Sequence, residues 1–374
     1  MAEPLKHSLN ANVMQTLARD LSRVQPAFSE AVFVRQCLTG LEALELTARG
    51  WHIAEVLQRH LPADFPEAAA VVQAALGAEL DRTDAFGMSL FRYLPYVFFV
   101  QKYGLDAFEP AMQLQYELTK RFSAESSIRA FLVRYPDQTL ARLRRWTKDP
   151  NVHVRRLVSE GTRPRLPWAP RLRAFQNDPT PVLALLERLR DDGERYVQRS
   201  VANNLNDISK DHPELAVATC ARWLEHPSAG RIWIARHALR SLVKQGHRGA
   251  LRLFGAGREP EVRVERLRIT PRRAHIGDTL RFEVGLVSTS AQSQALVCDY
   301  RVHFVKAGGK TSPKVFKLKQ LELGPAESVE LRGRVSLAPM TTRRHYPGRH
   351  VLELVVNGVS LPLGEFVLRP AHAD

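Results

Sequence analysis

HVRRLVSEGTRPRLPW, residues 153–168, sets four arginines and two prolines around one glutamate, breaks its helix at Gly161 and ends on a tryptophan. Two later stretches repeat its opening: YVQRSVANN from Tyr196 and WIARHALRS from Trp233. Each copy has an aromatic ring, then a branched apolar residue, then an arginine three positions after the ring: Arg156, Arg199 and Arg236. A weaker copy, SIRAFLVR, starts at Ser127. The clear copies lie 43 and 37 residues apart, the period of two-helix HEAT-type repeats. Stacked repeats bury an apolar stripe against their neighbours and place equivalent residues in a row. Such a row of arginines either follows a phosphate backbone or only solvates a helix face.

Helical periodicity extends to about residue 255, as in EAAAVVQAALGAEL (67–80) and Leu183–Leu189, with stops at Gly50, Pro62, Gly77, Pro136, Gly161 and Pro213. Past Val262 the pattern alternates instead. VRVERLRIT, TLRFEVGLV, DYRVHFV, KVFKLKQLEL, SVELRGRVSL, HVLELVVNG and EFVLRP read as seven strands separated by Gly, Pro and Ser, which predicts a β-sandwich of immunoglobulin type. The fold class is therefore mainly α: a HEAT-like helical-repeat solenoid over residues 1–257, then an immunoglobulin-like sandwich over 258–374. The boundary is set in FGAGREPEV, residues 254–262, where Gly and Pro cluster.

A net charge of +15 and a pI of 10.1 favour an anionic polymer, nucleic acid first and a membrane surface second. Both halves contribute. Residues 1–259 hold 36 basic against 28 acidic side chains, and 260–374 hold 18 against 11. MAEPLKHSLN lacks a signal pattern and LPYVFFV, residues 94–100, is far too short to span a bilayer, so a cytosolic protein is expected. Cys37, Cys220 and Cys298 are widely separated, which predicts free thiols and leaves the sandwich without an inter-sheet disulfide. AGGKTS, residues 307–312, is similar to the end of a phosphate-binding loop, but strands follow it and Phe304 replaces the first glycine; a hairpin turn is expected. GMSLF lacks the second glycine of a nucleophile elbow, and the histidines show no zinc-hydrolase or zinc-deaminase spacing. No metal or cofactor is expected.

The acids on this basic face raise the main question. Between Arg142 and Arg173 stand ten basic residues and two acids, Asp149 and Glu160. Asp149 precedes Pro150 and reads as a turn or cap. Glu160 lies four residues after Arg156; Arg199, Asn203 and Asp207 share that spacing, as do Arg121 and Glu125. These are either helical ion pairs or carboxylates kept near a phosphate surface to stabilise a cation. Trp168, after two prolines, is either a wedge between repeats or a ring for stacking.

HVRRLVSEGTRPRLPW, YVQRSVANNLNDISKDHP (196–213), DYRVHFVKAGGKTSPKVFKLK (299–319) and RRHYPGRH (343–350) together resemble the AlkC family of DNA alkylation repair proteins over essentially the whole chain. The resemblance implies a DNA glycosylase without cofactor that removes cationic N3-alkylated bases, 3-methyladenine and 3-methylcytosine, from double-stranded DNA. It implies catalytic roles for Glu125, Glu160 and Asp207, with Trp168 on the lesion. Arg129, Arg156, Arg163, Arg165, Arg199 and Lys210 are then expected to hold the DNA backbone. In the second domain Lys306, Lys310, Lys314, Lys317 and Lys319, and Arg343, Arg344 and Arg349, form two basic loops that either contact the duplex or keep the surface solvated. Two other readings of the chain are a non-catalytic scaffold for damaged DNA and a protein-binding solenoid. No placed lysine suggests a strand-cleaving step, and nothing requires more than a monomer.

Overall fold

The structure is a computed structural model that describes residues 4–83, 88–256, 259–340 and 344–371. Its helices run in chain order as α1 (Ala11–Ser22), α2 (Glu30–Leu38), α3 (Leu46–His60), α4 (Phe65–Ala75), α5 (Leu94–Tyr103) and α6 (Phe108–Thr119). Next come α7 (Ser127–Arg134), α8 (Pro136–Trp146), α9 (Val152–Gly161), α10 (Arg173–Asn177), α11 (Thr180–Leu189) and α12 (Arg195–Ile208). The last are α13 (Pro213–Leu224), α14 (Ala229–Ala238), α15 (Arg240–Gln245) and α16 (Arg248–Leu253). None is long and apolar enough to cross a membrane.

The repeat read from the sequence is the stacking of α9, α12 and α14: α12 packs against α9 on one side and α14 on the other. Their apolar stripes close the seam with Val154, Leu157, Val158, Val197, Val201, Leu205, Ile234 and Ala238, all buried. Asn151 starts α9 by accepting from the backbone N–H groups of His153 and Val154 at 2.9 and 3.4 Å. The rings of the second and third copies each receive an arginine from the preceding helix of the stack. Arg156 lies 5.3 Å from the Tyr196 ring centroid and Arg195 lies 4.3 Å from that of Trp233. The helical pattern of residues 67–80 stops early, at Ala75, because Leu80 N–H and Gly77 O leave the helix to bond Lys120 O and Arg121 Nε.

The strands are β1 (Val262–Thr270), β2 (Arg273–His275), β3 (Thr279–Ser288), β4 (Gln294–Val305), β5 (Thr311–Leu323), β6 (Ser328–Ser336), β7 (Gly348–Val356) and β8 (Val359–Arg369). They form a three-stranded sheet, β1-β3-β6, and a five-stranded sheet, β2-β8-β7-β4-β5. Leu280, Phe282, Val284 and Leu286 of β3 meet Tyr300, Val302 and Phe304 of β4 in one core, as the alternating pattern requires. The strand missed in the sequence is β2, three residues paired parallel to β8. The Lys306 N–H to Lys310 O bond, 2.8 Å, makes AGGKTS the β4–β5 hairpin turn, with Gly309 at φ +75°. All three cysteines are free and buried, and burial pushes each thiol up to about 12.

The described chain gathers into two compact units, Met1–Ala216 with Arg222–Ala238, and Val217–Ala221 with Leu239–Asp374. Helices α15 and α16 thus belong with the sandwich, although their periodicity matches the helical half.

Gly161 has a packing role besides ending α9. A Cβ there would lie 2.5 Å from Ile128 Cγ2, so the missing side chain lets α7 approach the end of α9. Gly161→Ala gains at most about 1 kcal/mol of helix propensity and incurs about 1–3 kcal/mol of overpacking. A net loss of about 1–2 kcal/mol is expected in denaturant unfolding followed by helical circular dichroism; equal or greater stability would contradict this packing.

Candidate active site

Three acids from three segments meet where α7, α9 and α12 come together. Glu125 lies just before α7, Glu160 is the penultimate residue of α9, and Asp207 is the penultimate residue of α12. Glu160 and Asp207 are 5% and 2% exposed, and the Glu125 side chain keeps 30% of its surface. The last turn of a helix carries partial negative charge, so both buried carboxylates sit where their sign is disfavoured.

Arginines compensate them in an alternating series. Arg156 Nη1 donates to Glu125 Oε2 at 2.8 Å, and its Nη2 faces Glu160 Oε1 at 3.6 Å. Arg163 Nη1 donates to Glu160 Oε1 at 2.6 Å while its Nε donates to Asp207 Oδ2 at 2.9 Å. Lys210 closes the series on Asp207 Oδ1 at 2.9 Å. Ser123 Oγ donates to Glu125 Oε2 at 2.9 Å, and Ser200 Oγ donates to Glu160 Oε2 at 2.6 Å. Burial works against ionised Glu160, but Arg156, Arg163 and the Ser200 hydroxyl outweigh it and hold the carboxyl below its ordinary range. The same acids raise Arg156 and Arg163 above the ordinary guanidinium range despite burial, so Glu160 and its two arginines are ionised together.

Of the expected four-residue pairings, Arg156–Glu160 forms at 3.6 Å and the other two are replaced. Arg121 donates to Glu117 and to the Gly77 carbonyl instead of Glu125. Arg199 is exposed and far from being the partner of Asp207, whose ligands are Arg163 and Lys210. The strongest contact of Glu160 is to Arg163, three residues on, while Glu125 takes Arg156 and Asp207 takes Arg163 from other helices, with Lys210 three residues on as the second partner of Asp207.

Trp168 is 79% exposed, which excludes the wedge reading within its own unit. Its φ of 62° is left-handed, a conformation costing a non-glycine residue about 1–2 kcal/mol. Arg129 holds the loop that imposes it. This arginine was expected on the backbone-binding surface, yet it is 4% exposed. Its guanidinium donates to the carbonyls of Gly161 (3.1 Å), Arg163 (2.6 Å) and Pro170 (3.2 Å from Nε), and burial pulls it down to about 10. It is an internal clamp on residues 161–170, so the surface role is withdrawn.

The other cations divide by engagement. Arg165 forms a fork on Asp211, at 3.0 Å from Nε to Oδ2 and 2.5 Å from Nη2 to Oδ1. Arg199 and Arg236 are exposed. Lys210 is partly exposed beside Asp207, and Lys310, Lys314 and Arg344 are exposed on the sandwich, the last two over the Phe316 and Tyr346 rings. Arg343 lies outside the described residues. Among the described residues no group of three His, Cys, Asp or Glu side chains is arranged to hold a metal ion.

Comparison with known proteins gives this arrangement relatives. The DNA alkylation repair enzyme family matches residues 122–242, the span holding all three acids, and the C-terminal Ig-like domain of the uncharacterised protein YhaZ matches residues 263–370. YhaZ of Bacillus subtilis is 34% identical over 357 residues, 95% of this chain and 96% of that protein. The Pseudomonas fluorescens alkylpurine DNA glycosylase AlkC, solved bound to DNA containing an abasic site analog, is 40% identical. It superposes with a TM-score of 0.90 over 98% of this chain and all of that one. The chain belongs to the AlkC family of DNA alkylation repair glycosylases. Its solenoid followed by an immunoglobulin-like domain is the AlkC fold.

Sequence reasoning missed two parts of this AlkC-family site. Ser200 and Tyr196 bring a hydroxyl and a ring to Glu160 and Arg156 from α12, and no spacing within one segment signals a contact across helices. The clamp by Arg129 likewise depends on the path of a loop more than thirty residues away.

The two kinds of arginine are separable by stability. Arg129→Met leaves three carbonyls without their donor and is expected to lose about 2–4 kcal/mol in denaturant unfolding. Arg199→Met is expected within about 0.5 kcal/mol of the parent; equal effects would contradict the assignment. A second check is pH. Because the folded value of Glu160 is depressed, its contribution is present above the unfolded value near 4.5 and is lost as pH falls through the folded value. The stability difference between the parent and Glu160→Gln should therefore narrow on acidification below 4.5.

Proposed function

We propose that this AlkC-family chain hydrolyses the N-glycosidic bond of cationic N3-alkylated bases, 3-methyladenine and 3-methylcytosine, in double-stranded DNA. It acts as a monofunctional glycosylase and as a monomer. The observation that carries this reading is the burial of Glu160 and Asp207 at two negative helix ends, beneath a basic surface, with Glu125 beside them. Carboxylates there destabilise the helices and repel phosphate, so they are suited to a positive charge.

An N3-alkylated base already carries that charge. When the bond from C1′ breaks, its electron pair neutralises the departing base, and no general acid is required. The sugar is left with oxocarbenium character, which fixed carboxylates favour. Water then adds to C1′ and gives up a proton to a carboxylate or to solvent. Glu125, Glu160 and Asp207 share the tasks of favouring the cation and orienting the water. Trp168, rigid and exposed, presses on the deoxyribose or the exposed base.

Arg199, Lys210, Arg156, Arg163 and Arg165 contribute the positive field that holds the duplex backbone, Arg199 through direct contact. The helical unit, Met1–Ala216 with Arg222–Ala238, forms the catalytic domain. Lys310, Lys314 and Arg344 of the sandwich, residues 258–374, add phosphate contacts.

Single-turnover release of free 3-methyladenine and 3-methylcytosine from methylated duplex tests this. Glu160→Gln and Asp207→Asn are each expected to slow release by about 10²–10³ with duplex binding retained. Release at the parent rate by both variants would remove the acids from the chemistry. A parent that binds damaged duplex and releases no base would make the chain a non-catalytic scaffold. Arg199→Met is expected to weaken duplex binding whatever the sequence and to lower the salt slope by about one; an unchanged slope would remove Arg199 from the backbone contacts.

A further inference from the structure

The two oxygens of Glu160 are held differently. Oε1 accepts from Arg163 at 2.6 Å and faces Arg156 at 3.6 Å, while Oε2 accepts from the Ser200 hydroxyl at 2.6 Å. Ser200 in turn accepts from the Ser159 hydroxyl at 2.7 Å. Both serines are buried, at 2% and 0% exposed. Asn204, one turn beyond Ser200 on α12, donates to Ser159 O at 2.8 Å and to Thr162 Oγ1 at 3.1 Å, which fixes the end of α9 against α12.

A serine hydroxyl has one proton. With the Ser200 proton on Glu160, the Ser200 oxygen is left to accept from Ser159, whose own proton is shared between Ser200 Oγ at 2.7 Å and Arg156 O at 3.0 Å. The Ser200 bond is stronger to a charged carboxylate than to a neutral carboxyl, so it favours the ionised form and fixes its rotamer. Neither serine reaches the surface, so any influence on a reaction passes through Glu160.

We propose that Ser200 is a positioning residue for base release: it fixes Glu160 Oε2 against α12, and Ser159 orients Ser200 for that task. The inference rests on the proposed function and names a residue that the acids depend on. The charged and titratable groups facing Glu160 are Arg156 and Arg163 from its own segment, Arg129 from α7, Glu125 before it, and Tyr196 and Asp207 from α12. The arginines act on Oε1 or at longer range, and among the described residues only Ser200 donates to Oε2. Removing Ser200 therefore leaves Glu160 ionised at neutral pH but less firmly held, and raises the pH at which it takes up a proton.

The test is the pH dependence of single-turnover base release by the full chain, the Ser200→Ala and Ser159→Ala variants, and Ser200→Ala combined with Glu160→Gln. Alanine deletes one oxygen from a helix position and favours the helix, so the variants retain the fold, which circular dichroism and duplex binding verify. Ser200→Ala is expected to slow release about tenfold at neutral pH, with the loss growing as pH falls and the acid limb moved to higher pH. Ser159→Ala is expected to shift the limb the same way by less. In the Glu160→Gln background, Ser200→Ala is expected to add nothing.

A Ser200→Ala profile superimposable on the parent, or a loss equal at every pH, overturns the assignment. A further loss in the Glu160→Gln background overturns the route through Glu160. A parent that releases no alkylated base at any pH overturns the proposed function itself and this inference with it, an outcome distinct from an active parent with an unchanged Ser200→Ala.

Discussion

One guanidinium joins the parts of this site. Arg163 donates to Glu160 on α9 and to Asp207 on α12, so the ends of two helices are tied through a single cation. Without it, two buried carboxylates would face each other's field at two negative helix ends, with only Arg156 and Lys210 as counter-charge. With it, each has a guanidinium partner inside a protein unit whose surface is basic. Arg156 extends the same solution to Glu125. The acids can lie close together because these cations were built in beside them.

This separates two uses of arginine in a strongly basic chain. Part of the positive charge works inside, as counter-charge to the acids or, in Arg129, as a donor to carbonyls. Another part, Arg199 and Arg236 with the lysines of the sandwich, faces outward. Net charge reports their total and not their division. The electrostatics of this AlkC-family chain are best described as a compensated interior beneath an uncompensated surface.

Much of the architecture was legible because it rests on local periodicity. The ring-to-arginine repeat marks α9, α12 and α14, and strict alternation marks the long strands. β2 escaped because three residues beside a proline are too short to show a period, and the end of α4 escaped because Leu80 and Gly77 are recruited by partners forty or more residues away. The site shows the same limit. Glu125, Glu160 and Asp207 stand out as acids among cations, and Arg156 is legible beside Glu160, but for Glu125 and Asp207 spacing within one helix proposes Arg121 and Arg199 where the fold supplies Arg156 and Arg163. Arg129 was misread for the same reason: an arginine next to other basic residues reads as surface until the loop folds over it.

That loop has an uneven division of labour. Arg129 grips it only through the main-chain oxygens of residues 161, 163 and 170, atoms that every amino acid supplies. The clamp consequently reads the path of the chain and is blind to its side chains. The exposed residues between the gripped points, Pro167 and Trp168, can be exchanged without loosening it, provided position 168 still tolerates a left-handed backbone. The ring that stands out from the surface is in this sense a replaceable tip on a fixed mount.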